Sequence, residues 1–176
     1  MAKDGVWILL VLLAAATGWM DWRSRRIPNW LTVPALAVGI ASNSLAWGWS
    51  GTKSSLLGAG LGLLLLLPFV LIRSLGAGDW KIVGAVGAFL GPQSLITVLA
   101  VTILVAGVMA VILIVWKKRV RQTARNLGRM LGAMVTLRLP GPELSLDNPE
   151  ALKVPFGVAV AVAVILFVAQ QAWGVS

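Results

Sequence analysis

Six apolar runs, over residues 5–20, 30–49, 56–72, 79–91, 93–116 and 154–173, leave this chain few ways to fold. The breaks between them, short except for 117–153, hold most of the charge. A charged side chain in hydrocarbon costs on the order of 3 kcal/mol by insertion scales, so such segregation is what a bilayer imposes. Hydrophobic residues make up 59% of the 176, charged ones only 12%, and mean hydropathy is +0.90. These values predict an all-α, polytopic membrane protein with six transmembrane helices, one integral membrane domain over residues 1–176.

The breaks set the expected topology. Ala14-Ala15-Ala16 is a weak cue for a cleaved signal peptide. The cluster Arg23, Arg25 and Arg26 follows the first run instead of preceding it, which predicts a retained helix. Pro28 ends that loop, residues 50–55 read as a polar turn, and Pro68 as a kink. Gly58 and Gly62 suit close helix contact. Residues 79–91, stopped by Gly91-Pro92, make a helix of roughly 20 Å, short against a core of about 30 Å. Its small residues Gly84, Ala85, Gly87 and Ala88 predict a place inside the bundle. Lys118, Arg121, Arg125 and Arg129 share one helical face, Val120, Ala124, Leu127, Leu131 and Met134 the other. That amphipathic basic helix, within a cytoplasmic loop 117–152, suits anionic lipid at the inner leaflet. With both termini on the extracytoplasmic side, all of the 15 basic residues except Lys3 and Lys53 face inward. The 9 Trp residues fall near predicted span ends, as an aromatic belt does. Insertion in the cytoplasmic (inner) membrane as a multi-pass protein is expected. The net charge of +9 is thereby assigned to orientation and lipid. No nucleic-acid partner is expected, because no recognition module accompanies the charge.

The chain has no Cys, no His and no Tyr. Thiol nucleophiles, disulfides and the usual neutral-pH base are excluded, and no metal or cofactor is expected. Acid–base chemistry must then run on Lys or on 6 carboxylates: Asp4, Asp21, Asp79, Glu143, Asp147 and Glu150. In the expected topology Asp21 ends the first helix and Asp79 begins the fourth, at similar depth on the inner side. Two carboxylates brought together titrate as a unit. The ionised member can take a proton from water while the neutral one donates to a carbonyl oxygen. That is peptide hydrolysis without metal or covalent intermediate. Gly76 and Gly78 would let a peptide approach and let the loop take φ > 0. Plainer roles compete: Asp79 is suited to capping a helix as its N-cap residue, and Asp21 to pairing with Arg23 or Arg25. At the C-terminal end of its own helix Asp21 opposes the dipole, so capping explains it poorly.

Asp21-Trp-Arg-Ser-Arg-Arg-Ile-Pro-Asn-Trp-Leu-Thr32 resembles the first block of type IV prepilin peptidases, an Asp followed by basic residues and Ile-Pro-Asn-x-Leu-Thr. Gly76-Ala-Gly-Asp-Trp-Lys81 is similar to the second, Gly-x-Gly-Asp-x-Lys. Lys153-Val-Pro-Phe-Gly157 looks like the segment opening the family's last helix. The resemblance implies an intramembrane aspartic endopeptidase of the GxGD type, with Asp21 and Asp79 as the catalytic pair. Gly76, Gly78 and Lys81 become candidates for substrate binding. The implied partner is the basic leader of a prepilin or pseudopilin, removed at the cytoplasmic membrane face in pilus or type II secretion assembly. Bifunctional members also methylate the new terminus from S-adenosylmethionine, often with a cytoplasmic domain carrying paired CxxC motifs. Without Cys, this chain is expected to be of the short kind. It looks like the peptidases of tight-adherence pili or archaeal preflagellins, for which no methyltransfer is claimed. The residues specify no oligomeric state.

Two other readings use the same acids. A small proton- or cation-coupled transporter would employ Asp21 and Asp79 as ion ligands, although both lie near one interface and no inverted repeat is visible. A noncatalytic assembly subunit would use them only to pair with arginines.

Overall fold

The computed structural model describes residues 2–72, 75–118 and 154–174, together with 120, 121, 123, 125 and 128. It is all-helical among the described residues. Helix α1 runs Ala2–Ser24, α2 Asn29–Leu71, α3 Ala77–Trp116 and α4 Phe156–Ala172. The first three are each long and apolar enough to cross a membrane. The expected cytoplasmic loop 117–152 lies mostly outside the described residues. Of its basic helix, Val120, Arg121, Thr123, Arg125 and Gly128 are helical.

Two helices are interrupted by one residue each. In α2 the only non-helical backbone is Gly48, at φ 60° and ψ −141°. In α3 it is Gly91, at φ 73° and ψ 177°. Positive φ with extended ψ is essentially confined to glycine. The chain turns back at both points. Asn43 Nδ2 donates to Ser55 Oγ at 2.8 Å, and the Ser44 and Thr52 hydroxyls meet at 2.7 Å. A straight helix would hold residues 43 and 55 about 18 Å apart. The turn expected over 50–55 is therefore helix, and the reversal comes earlier, at Gly48, where the backbone can take the required φ. The kink expected at Pro68 leaves no non-helical residue.

The second turn solves a hydrogen-bonding problem. Pro92 has no N–H to give the Ala88 carbonyl four residues back. Ser55 Oγ donates to that carbonyl at 2.6 Å and Asn43 Nδ2 at 2.8 Å. Asn43 also reaches the Phe89 carbonyl at 2.9 Å. Both side chains are buried, where unpaired carbonyls cost most. Residues beyond the turn fold back until the Leu95 side chain lies beside Gly62 and Gly87.

Residues 82–89 are buried without interruption, as the small-residue content predicts. Gly58 packs against the Gly87 carbonyl and Gly62 against that of Val83, so the close contact expected of this pair is present. Helix α4 packs beside α1 and α3. The Trp7 and Phe167 rings meet at a tilt of 50° with centroids 6.2 Å apart, and Gly18 admits Ala161. The outside of the bundle is apolar: Leu45 is 88% exposed, Leu64 and Leu104 70%. Water would not tolerate so continuous an apolar surface; it is the exterior of a membrane protein.

Candidate active site

Asp21 sits in the last turn of α1, whose end is marked by Arg25 in the left-handed region at φ 50°. Its carboxylate is buried, with 5% of the residue exposed. It belongs to another helix's terminus. Asp21 Oδ2 accepts the amides of Gly157 at 2.7 Å and Val158 at 3.3 Å, the second and third residues of α4. Those are the amides that an N-cap side chain normally satisfies. Pro155 holds the N-cap position of α4 and makes no side-chain cap. Asp21 supplies the missing acceptor from across the bundle, and the N-terminal dipole of α4 favours its charge. The capping role that its own helix denies it is thus provided by a different one.

Gly157 is what lets the two meet. A Cβ there would lie 2.9 Å from Asp21 Cβ and 3.0 Å from its Oδ2.

Asp79 is not the N-cap of α3; that position is Gly76. Asp79 is the third helical residue, and its carboxylate accepts the Gly76 amide, the reach-back half of a capping box. It is partly buried and stands within electrostatic range of Asp21. Arg25 is the cation within range of Asp21. The structure therefore brings together the two acids singled out in the sequence, at one end of the bundle.

The glycines before Asp79 do not take positive φ. Gly76 has φ −67°, and the left-handed glycines among the described residues are Gly48, Gly91 and Gly174. Their bareness serves packing. A Cβ on Gly76 would lie 2.9 Å from Asp79 Oδ2, and one on Gly78 would lie 3.1 Å from Ile27. Ile27, from the Ile-Pro-Asn block, also places its Cδ1 3.1 Å from the Cβ position of Gly157. This one buried side chain is wedged between the helix that carries Asp79 and the helix that Asp21 caps. Lys81 Nζ donates to Asn29 Oδ1 at 2.8 Å, tying the two blocks a second time. Trp80 Nε1 donates to the Leu63 carbonyl at 2.6 Å, fixing the start of α3 against the returning limb of α2.

Reasoning from sequence did not single out Ile27, Asn29 or the Gly157 and Val158 amides as parts of the site. For the amides a signal was available: no Ser, Thr, Asp or Asn precedes α4 to cap it, so a cap had to come from elsewhere. Thr32, in the same block as Ile27, is 1% exposed. Its hydroxyl has no hydrogen-bond partner among the described residues, whereas Thr17 and Thr102 each donate to the carbonyl four residues back.

The model of the "Type IV leader peptidase family" matches residues 7–111, a stretch that contains both aspartates. Three curated relatives carry the name "Prepilin leader peptidase/N-methyltransferase". That of Xanthomonas campestris pv. campestris is 28% identical over 134 residues, 72% of this chain and 46% of the relative. That of Aeromonas hydrophila is 33% identical over 114 residues, 61% and 39%. That of Burkholderia pseudomallei is 30% identical over 129 residues, 69% and 40%. The chain spans less than half the length of each. No solved structure matches. The transporter reading draws no support from these comparisons. With its two aspartates inside the matched region and brought together at one end of the helices, this chain belongs to the type IV leader peptidase family.

Proposed function

We propose that the protein is an intramembrane aspartic endopeptidase that removes the basic leader from a prepilin or pseudopilin at the cytoplasmic face of the inner membrane. The observation that carries this reading is the convergence of buried Asp21 and partly buried Asp79, from distant parts of the chain, onto one site. One carboxylate, ionised, takes a proton from water as its oxygen attacks the scissile carbonyl carbon. The other, neutral, gives its proton to the carbonyl oxygen. The tetrahedral intermediate collapses when the amide nitrogen is protonated and the C–N bond breaks, which restores the shared proton. Gly76, Gly78 and Lys81 line the approach of the leader.

In this reading α1, the two limbs each of α2 and α3, and α4 make six crossings, with both termini extracytoplasmic. The reversals at Gly48 and Gly91 support that count. The collection of Asp21, Asn29, Lys81 and Gly157 at one end, opposite Trp7 and Phe167, supports a single catalytic face. The basic residues between 117 and 138 give anionic lipid a partner at that face.

The test is cleavage of a prepilin in membranes. Asp21→Asn and Asp79→Asn each abolish it while membrane insertion stays normal; cleavage that survives in either variant refutes the assignment.

A further inference from the structure

Dyad chemistry works with either aspartate as the base, and cleavage by itself asks nothing of the opening of α4. One geometry bears on both points. We infer that the Gly157 and Val158 amides are positioning groups that hold Asp21 as the ionised, water-activating member of the pair, leaving Asp79 as the proton-bearing member that protonates the carbonyl. The inference rests on the peptidase reading and adds a division of labour to it.

Hydrogen bonds to the charged form of a carboxylate favour that form. Asp21 Oδ2 receives two, at 2.7 Å and 3.3 Å, from one helix N-terminus, whose dipole acts in the same sense. Arg25, at the end of α1, adds a positive charge within range. Asp79 receives the amide of Gly76, and the charge that acts on it is that of the Asp21 carboxylate. Lys81, two residues on, turns its ammonium to Asn29. From the described residues of α4 no titratable side chain faces the pair. Of two adjacent acids that share one proton, the one with more donors and the nearby cation gives it up.

The arrangement also accounts for the sequence at the start of α4. Pro155 presents no competing cap, so both amides are left for Asp21. Gly157 removes the side chain that would push the carboxylate away.

The experiment replaces Gly157 with glycolate in the full-length protein, which exchanges the N–H for an ester oxygen and adds no other atom. Cleavage of a prepilin is followed as kcat/KM against pH. The expected result is an acid limb moved upward by about one pH unit with an unchanged alkaline limb, since the base has lost a hydrogen bond worth about that much. KM is unchanged. An unmoved profile, or a shift of the alkaline limb alone, overturns the inference. Infrared spectra of protein labelled with 13C at the aspartate carboxyls give a measurement that needs no turnover. A protonated-carboxyl band at neutral pH should vanish in Asp79→Asn; one that persists there belongs to Asp21 and overturns the assignment. The peptidase reading fails separately, on cleavage by Asp21→Asn or Asp79→Asn.

Discussion

Asp21 caps the helix of Gly157, a residue 136 positions away in the chain, through a hydrogen bond of 2.7 Å. One acid thereby fixes where the first and last helices meet and is itself held in place. Polar groups in a bilayer find their partners inside the protein. A bond of this kind therefore registers the ends of two helices that are otherwise joined by apolar side chains.

Gly157→Ala tests that registration. The new Cβ would meet Asp21 Cβ at 2.9 Å and Ile27 Cδ1 at 3.1 Å, so either α4 or the carboxylate must move. Overpacking of this kind costs roughly 1–3 kcal/mol, and a displacement near 1 Å at a reacting group lowers kcat by on the order of 100-fold. Thermal unfolding in detergent and the cleavage rate measure the two effects. Gly107→Ala is the control, because nothing lies within 4 Å of its Cβ position; it should leave the cleavage rate at that of the parent protein and, as a helical Gly→Ala change, stabilise by up to about 1 kcal/mol.

Lys81 and Asn29 make the second tie between the blocks. Their bond, at 2.8 Å, is exposed, so Lys81→Met and Asn29→Ala should each cost about 1 kcal/mol or less. The double variant should cost less than the sum of the singles if the two act as one unit. Additive losses in a double-mutant cycle of unfolding free energies would show that they act apart.

Asn43 predicts a graded response. It serves the carbonyls of both Ala88 and Phe89, whereas Ser55 serves Ala88 alone. Asn43→Ala takes a buried donor from both carbonyls and from the Ser55 hydroxyl, a loss of about 2–3 kcal/mol. Ser55→Ala leaves each carbonyl a donor and should cost about 1 kcal/mol. The ranking is checked by unfolding in detergent; equal losses would mean that the node acts through packing alone.

What the sequence made legible follows from which interactions are local. Apolar runs and glycine–proline breaks are local, and they delimit the helices to within a few residues. Ser50, Thr52, Lys53, Ser54 and Ser55 read as a polar turn, which hides the earlier reversal at Gly48. The Thr52 and Ser55 hydroxyls instead bond within and between the two limbs of α2, so their polarity marks a helix contact. Asp21 and Asp79 stood out because a carboxylate beside hydrocarbon is costly wherever it lies. Their partners Gly157 and Ile27 did not stand out, because neither carries a polar side chain. Gly157 contributes a backbone amide and empty space, Ile27 contributes shape, and only the folded arrangement reveals that.

Gly48 and Gly91 allow conformational strain to be separated from crowding. Both hold positive φ, at 60° and 73°, with ψ values that side-chain-bearing residues avoid. Alanine at either should cost about 1–3 kcal/mol from the backbone. At Gly48 nothing lies within 4 Å of the Cβ position, so that is the whole expected loss. At Gly91 the Cβ would run into the Ser54 hydroxyl, so Gly91→Ala should lose more than Gly48→Ala. Placing Gly91→Ala in a Ser54→Ala background removes the obstructing oxygen. The penalty of Gly91→Ala measured in that background should shrink to that of Gly48→Ala. Unfolding free energies of the parent protein and the four variants decide the matter. A Gly91 penalty untouched by the loss of the Ser54 hydroxyl would place the entire cost in the backbone, and equal penalties for both glycines in the parent protein would do the same.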